Sequence, residues 1–145
     1  MKSLTLAAAR TILDAAHAYA KTHAMKPLAI CVLDGRGTLK SFLADDGTSL
    51  GRADIARGKA NGALALGMGS RALFKRAQDQ PYFVAAATSA IGGSLIPVPG
   101  GVLIRSEDGT VIGAVGISGD TSDNDEACAV AGITAAGLSA DPGEG

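Results

Sequence analysis

The side chains best suited to chemistry in this chain are Lys59, the neighbours Asp45 and Asp46, two histidines, and an acidic run at Asp120, Asp123, Asp125 and Glu126. Lys59 stands in a stretch of Gly and Ala, where so little bulk would let its ammonium meet the carboxylate of a ligand. An ordinary lysine snorkelling to the surface fits the same position. Asp45 and Asp46 are adjacent, so in extended backbone their carboxylates diverge, and a solvated loop is the plain alternative to a site. His17 falls four residues after Leu13, at the edge of an apolar stripe. His23 closes the same helix, where an imidazolium suits the dipole. With no third histidine a zinc site of the usual kind lacks ligands. A single imidazole still suffices as an axial haem ligand, and His17 is the better placed of the two. The acidic run fails the calcium-loop pattern, which needs a central Gly and a distal Glu. Acids in the first turn of a helix explain it more simply.

Other signatures exclude more than they suggest. Gly113, Gly116 and Gly119 recur every three residues, which is not the dinucleotide order, and no Gly-Lys-Ser/Thr marks a phosphate loop. Gly-x-Ser-x-Gly is absent as well. Cys31 and Cys128 are far apart without a Cys-x-x-Cys pair, and Cys31 lies in the apolar run Leu28 to Leu33, as a buried structural thiol does.

A chain of 145 residues, 47% hydrophobic and 19% charged, has enough apolar material for one core. Only 3% is aromatic and Gly numbers 20, so Ala, Val, Ile and Leu must build that core with close backbones. A net charge of −1 leaves no basic footprint for nucleic acid, and nothing favours an anionic membrane. No apolar stretch approaches the ~20 residues that span a bilayer. Cytoplasmic location is the resulting expectation.

These residues need elements to position them. Leu6, Ala9, Leu13, Ala16 and Ala20 follow Ser3 at helical spacing, which predicts a helix over about 4–23. Residues 28–33 read as a strand, Asp34-Gly35-Arg36-Gly37 as a turn, and Thr38 to Leu43 as its hairpin partner. A second helix over about 50–67 carries Lys59, with Gly58 and Gly62 spaced to admit another backbone. Ser70 is placed to cap a short helix and Pro81 to begin another. Val102 to Arg105 and Thr110 to Ile117 form a second hairpin. Ser122 then caps a last helix with Asp125 at its third position, and Gly137 stops it. Two hairpins with helices between them argue for an α+β layer on an antiparallel sheet. One domain over 1–137 and a flexible tail over 138–145 complete the expectation.

Several segments in this order resemble the haem-degrading domain family, which includes HbpS-like and GlcG-like proteins and the C-terminal domain of PduO-type corrinoid adenosyltransferases. They are the Ala-rich opening helix, Ile30 to Gly37, Asp46-Gly47, Asp54 to Ala60, and Pro99-Gly100-Gly101-Val102. Ile112 to Gly119 followed by Asp125-Glu126-Ala127-Cys128-Ala129 is the most specific. The resemblance implies a profilin-like α/β sandwich, assembly into a homo-oligomer (a tetramer or octamer), and haem binding. It also implies that Lys59, Asp46 and the Gly100-Gly101 loop line one pocket. Asp45 stands where a Met commonly precedes Asp-Gly, and Leu103 where a Pro often follows Gly-Gly-Val, so that pocket is more polar than the family norm.

Two functions follow. In one, a cytoplasmic oligomer sequesters or helps degrade haem, with His17 as the metal ligand and Lys59, Gly100 and Gly101 about the cofactor. In the other, a catabolic enzyme or accessory subunit of isomerase or hydratase type acts on a small oxygenated acid. There Lys59 would pair with the substrate carboxylate and Asp46 would move protons.

Overall fold

The computed structural model describes residues 2–143. Among the described residues the elements run α1 (Leu6–Thr22), β1 (Ala29–Asp34), β2 (Leu39–Ala44), α2 (Arg52–Leu66), α3 (Ser70–Asp79), α4 (Pro81–Ala90), β3 (Gly101–Arg105), β4 (Val111–Ser118), α5 (Ser122–Ala135) and β5 (Ser139–Asp141). The strands form a single antiparallel sheet in the order β2-β1-β4-β3-β5. Both expected hairpins are present, and the class is α+β as expected.

Strand alternation explains the layering. From β1, Ile30 and Val32 point to the side covered by α1 and α5, where they meet Ile12, Ala16, Cys128 and Ile133. Ala29, Cys31 and Leu33 point to the other side and meet Ala56, Ala60 and Ala63 of α2. The first layer is filled by large aliphatics, each worth roughly 1.5–3 kcal/mol when buried. The second is lined mostly by alanines, so α2 lies very close to the sheet. A Cβ added at Gly116 would stand 1.9 Å from the Ala56 carbonyl oxygen. Gly58 and Gly62 admit the chain at Leu95 and Ile96, as their spacing suggests, and the Ile96 N–H donates to the Gly58 carbonyl at 3.1 Å.

Three local expectations are corrected. Thr121, one residue before Ser122, caps α5 by accepting the Asn124 N–H at 3.1 Å. Ser70 does not cap α3, whose N-cap is Gly69. Its buried hydroxyl instead accepts the Gly101 N–H at 2.7 Å and donates to the Gly101 carbonyl at 3.2 Å. The tail is not irregular throughout, since Ser139–Asp141 add to the edge of β3 as β5, with Arg105 paired to Asp141. The last two tail residues, 144 and 145, lie outside the described residues.

Candidate functional site

The polar residues singled out above gather at one end of the sheet, where β1 begins and β2 and β4 end. Ala29 pairs with Ala44 on one side and with Ser118 on the other. They form separate bonded groups there.

The first group lies on α1. His17 Nε2 is 2.6 Å from Asp45 Oδ1, and the Asp45 Oδ2 accepts the Leu28 N–H at 2.9 Å. Asp45 directly follows β2 and closes its ladder by donating its own N–H to the Leu28 carbonyl. One carboxylate therefore joins α1, the start of β1 and the end of β2. The imidazole is 29% exposed, so the pair opens to solvent. Asp46 is exposed in the next turn. His23 stacks on Tyr19 with ring centroids 3.8 Å apart, and its Nδ1 lies 2.9 Å from the Tyr19 carbonyl.

The second group is internal. Lys59 is only 2% exposed. Its Nζ donates to the Ile117 carbonyl at 2.8 Å and to Asp125 Oδ2 at 3.2 Å. Asp125, on α5, also accepts the Asp120 N–H at 3.0 Å. The lysine thus starts on the helix that covers one face of the sheet and ends on the helix that covers the other. Glycines make the passage. A Cβ at Gly100 would lie 2.8 Å from Lys59 Nζ, and one at Gly101 2.2 Å from the Lys59 carbonyl oxygen. Gly100 also holds φ +125, a conformation other residues rarely adopt. Burial pushes the Lys59 ammonium below its usual range and the Asp125 carboxyl above its own, while their mutual attraction opposes both shifts.

Lys59 thus packs against Gly100 and Gly101, while His17 is bonded to Asp45 and belongs to the first group. Asp45 joins His17 rather than the lysine. The remaining acids are engaged in the fold: Asp120 accepts the Lys26 and Thr121 N–H groups, and Asp123 and Glu126 both take Arg71 of α3. Among the described residues no three His, Cys, Asp or Glu side chains are grouped as a metal cage. Both cysteines are free and buried, with desolvation lifting their thiols to about 11 at Cys31 and about 12 at Cys128.

Sequence reasoning missed the Lys59–Asp125 pair, the His17–Asp45 pair and the bracket that Ser70 makes on Gly101. It also missed two concavities flanking α2. One, of about 450 Å³, lies between Gly58 and the Gly92 to Ile96 loop. The other, of about 230 Å³, opens beside β2 over Cys31. Asp54 and Arg57 line both.

Residues 4–134 match a protein-family model described as haem degrading protein HbpS-like. Among curated proteins no sequence matches. Several solved structures share the fold. The Klebsiella pneumoniae protein ORFY superposes with a TM-score of 0.83 at 25% identity, over 94% of this chain and 92% of that one. A double mutant of Streptomyces reticuli HbpS gives 0.78 at 26% identity, over 92% and 87%. The PduOC:heme complex gives 0.83 at 24% identity, over 94% and 96%.

Proposed function

The chain belongs to the HbpS-like family of haem degrading proteins, and on that premise we propose that it binds haem and sequesters it or helps degrade it. The observation that carries this reading is the family match, which spans nearly all of the described chain. The HbpS and PduOC:heme structures that share the fold support it.

His17 is the residue we assign to the iron. Its imidazole is part-exposed and is oriented by a carboxylate that a backbone N–H in turn holds, the arrangement by which proteins fix metal-binding histidines. With Nε2 at Asp45, ligation through Nδ1 keeps that contact, whereas ligation through Nε2 requires Asp45 to turn away. Leu13 and Lys21 stand one turn to either side of His17 on α1, an apolar contact for the macrocycle and a cation for a propionate. Haem, if bound, would supply iron, with His17 as the residue that would hold it and Asp45 as the group that would tune that histidine. In this reading Lys59, Gly100 and Gly101 hold the end of the sheet in shape, and Asp46 stands at the solvent side.

The isomerase or hydratase alternative is not favoured. It needs an accessible ammonium at Lys59, and that ammonium is buried and already bonded to Asp125 and the Ile117 carbonyl.

We also infer self-association and a cytoplasmic location. The apolar α4 leaves Tyr82 71% and Phe83 38% exposed, which supports a subunit contact. Free buried thiols suit a reducing compartment. Among the described residues no helix is long and apolar enough to cross a membrane. Light scattering at micromolar concentration should show a particle larger than one chain, and a monomer would end the first inference.

The decisive experiment is a haemin titration of the protein, followed in the Soret region, with His17→Ala and His23→Ala alongside. A saturable one-to-one shift that His17→Ala abolishes and His23→Ala preserves is the expected result. A shift unchanged in both variants would move the iron ligand elsewhere, and no saturable shift would end the haem reading.

A further inference from the structure

We infer that the slot beside β2 is a second binding site, for a zwitterionic α-amino acid with a short aliphatic side chain. Three observations converge on this ligand. Cys31, Leu39, Phe42 and Ala53 line the cavity besides Asp54 and Arg57, so its uncharged lining is apolar. At about 230 Å³ it is smaller than a drug-sized pocket, and at ~30 Å³ per water it holds about eight heavy atoms. Its rim carries one carboxylate and one guanidinium, Asp54 and Arg57, a helical turn apart on α2.

The rim decides the class of ligand. Asp54 and Arg57 have opposite charge at a spacing that commonly forms an ion pair, yet no ion pair joins them here. The Arg57 guanidinium makes one long contact, to the Gly37 carbonyl at 3.5 Å. An amino acid presents the complementary pair of charges on adjacent atoms, a carboxylate for Arg57 and an ammonium for Asp54. Its side chain then enters between Leu39 and Phe42, both of which are large apolar residues left 45% and 40% exposed. A simple carboxylate would leave Asp54 beside its own negative charge, and a simple amine would leave Arg57 unused. The buried Cys31 thiol, pushed up to about 11 by desolvation, remains neutral and adds to the uncharged lining.

Calorimetric titration of the whole chain with L-leucine at neutral pH tests this directly. Saturable one-to-one binding is expected, weakened about tenfold or more in Arg57→Gln and again in Asp54→Asn. Isocaproate and isoamylamine, which each keep one of the two charges, should bind at least tenfold more weakly than L-leucine. Both substitutions are on the exposed side of α2, and circular dichroism should show the fold unchanged. His17→Ala should leave L-leucine binding intact, so the haem reading and this one fail separately. Absence of saturable binding, binding indifferent to Arg57→Gln, or isocaproate binding as tightly as L-leucine would each overturn the assignment.

Discussion

The two faces of the sheet are built on different principles, and each carries one ion pair that shows it. On the α1/α5 face large aliphatics fill the layer, and the His17–Asp45 pair sits at its margin in contact with water. On the α2 face alanines and glycines bring the helix so close that Lys59 runs through to Asp125 out of reach of solvent. A buried pair has lost its hydration and is held by its mutual attraction and its hydrogen bonds to the fold, out of reach of a ligand. A margin pair keeps a ring accessible and oriented, which is what the proposed iron ligand requires. Residue type alone suggests the reverse, because lysine among small residues reads as a reactive group. Exposure separates the two roles.

The strongest way to break this comparison is at Lys59. Lys59→Met should cost about 3–5 kcal/mol, since it leaves Asp125 charged and buried without its partner. Adding Asp125→Asn, which keeps an acceptor for the Asp120 N–H, should restore most of that loss. Chemical denaturation of the two variants measures both. The pH dependence has a definite sign. Burial holds the Asp125 carboxyl above its unfolded value, and in the single variant nothing from Lys59 offsets it. A raised carboxyl favours the fold below the unfolded pKa of about 3.9 and loses that advantage as pH rises through the folded value. The deficit of Lys59→Met should therefore be smaller near pH 4 than near pH 7.5. A deficit under about 1 kcal/mol at neutral pH would place Lys59 among ordinary surface lysines.

A second test sharpens the closeness of the α2 layer. Gly116→Ala drives a methyl into the Ala56 carbonyl, a backbone atom that cannot swing aside. Overpacking of this kind costs about 1–3 kcal/mol, read as a fall in denaturation midpoint. Gly109→Ala meets no neighbour within 4 Å, but its φ of +86 makes it a control for strain without contact. An equal loss at both positions would mean that α2 is not tightly seated.

What the sequence discloses of this arrangement depends on how local each feature is. Asp34 to Gly37 and Ser106 to Gly109 announce both hairpins because a turn is written in adjacent residues. Gly58 and Gly62 announce a close approach through a spacing on one helix. Lys59 and Asp125 are 66 residues apart, and only the topology brings them together through a gap that Gly100 and Gly101 keep open. Asp45 meets His17 across 28 residues for the same reason. β5 carries no strand signal of its own, since Ser139-Ala140-Asp141 is held by the edge of β3 rather than by propensity. The polar residues themselves were legible one by one, while the pairing among them at this end of the sheet was not.

The cap of α5 gives the next smaller effect and a check on the N-terminal end of Asp125's helix. Thr121→Ala removes the acceptor of the Asn124 N–H and should cost about 1 kcal/mol, with Ser122→Ala costing distinctly less. Reversed costs would restore Ser122 as the cap.

The smallest change in stability is expected where the largest change in ligand binding is proposed. His17→Ala removes a pair that is part-exposed on both sides, 29% at the imidazole and 24% at the carboxylate, and such pairs contribute about 0–1 kcal/mol. Asp45 keeps its bond to the Leu28 N–H in that variant, so no buried group is stranded. Asp45→Ala should cost more than His17→Ala, because the Leu28 N–H then loses its acceptor, which is worth about 1–3 kcal/mol where water cannot replace it. The same pair of variants should rank the other way in a haemin titration. His17→Ala loses the ligand itself, whereas Asp45→Ala loses only the group that orients it, an effect of about 10–100-fold on metal affinity. If both variants instead lost stability to the extent of Lys59→Met, the margin pair would be a second internal brace, and the division of labour between the two faces would fall.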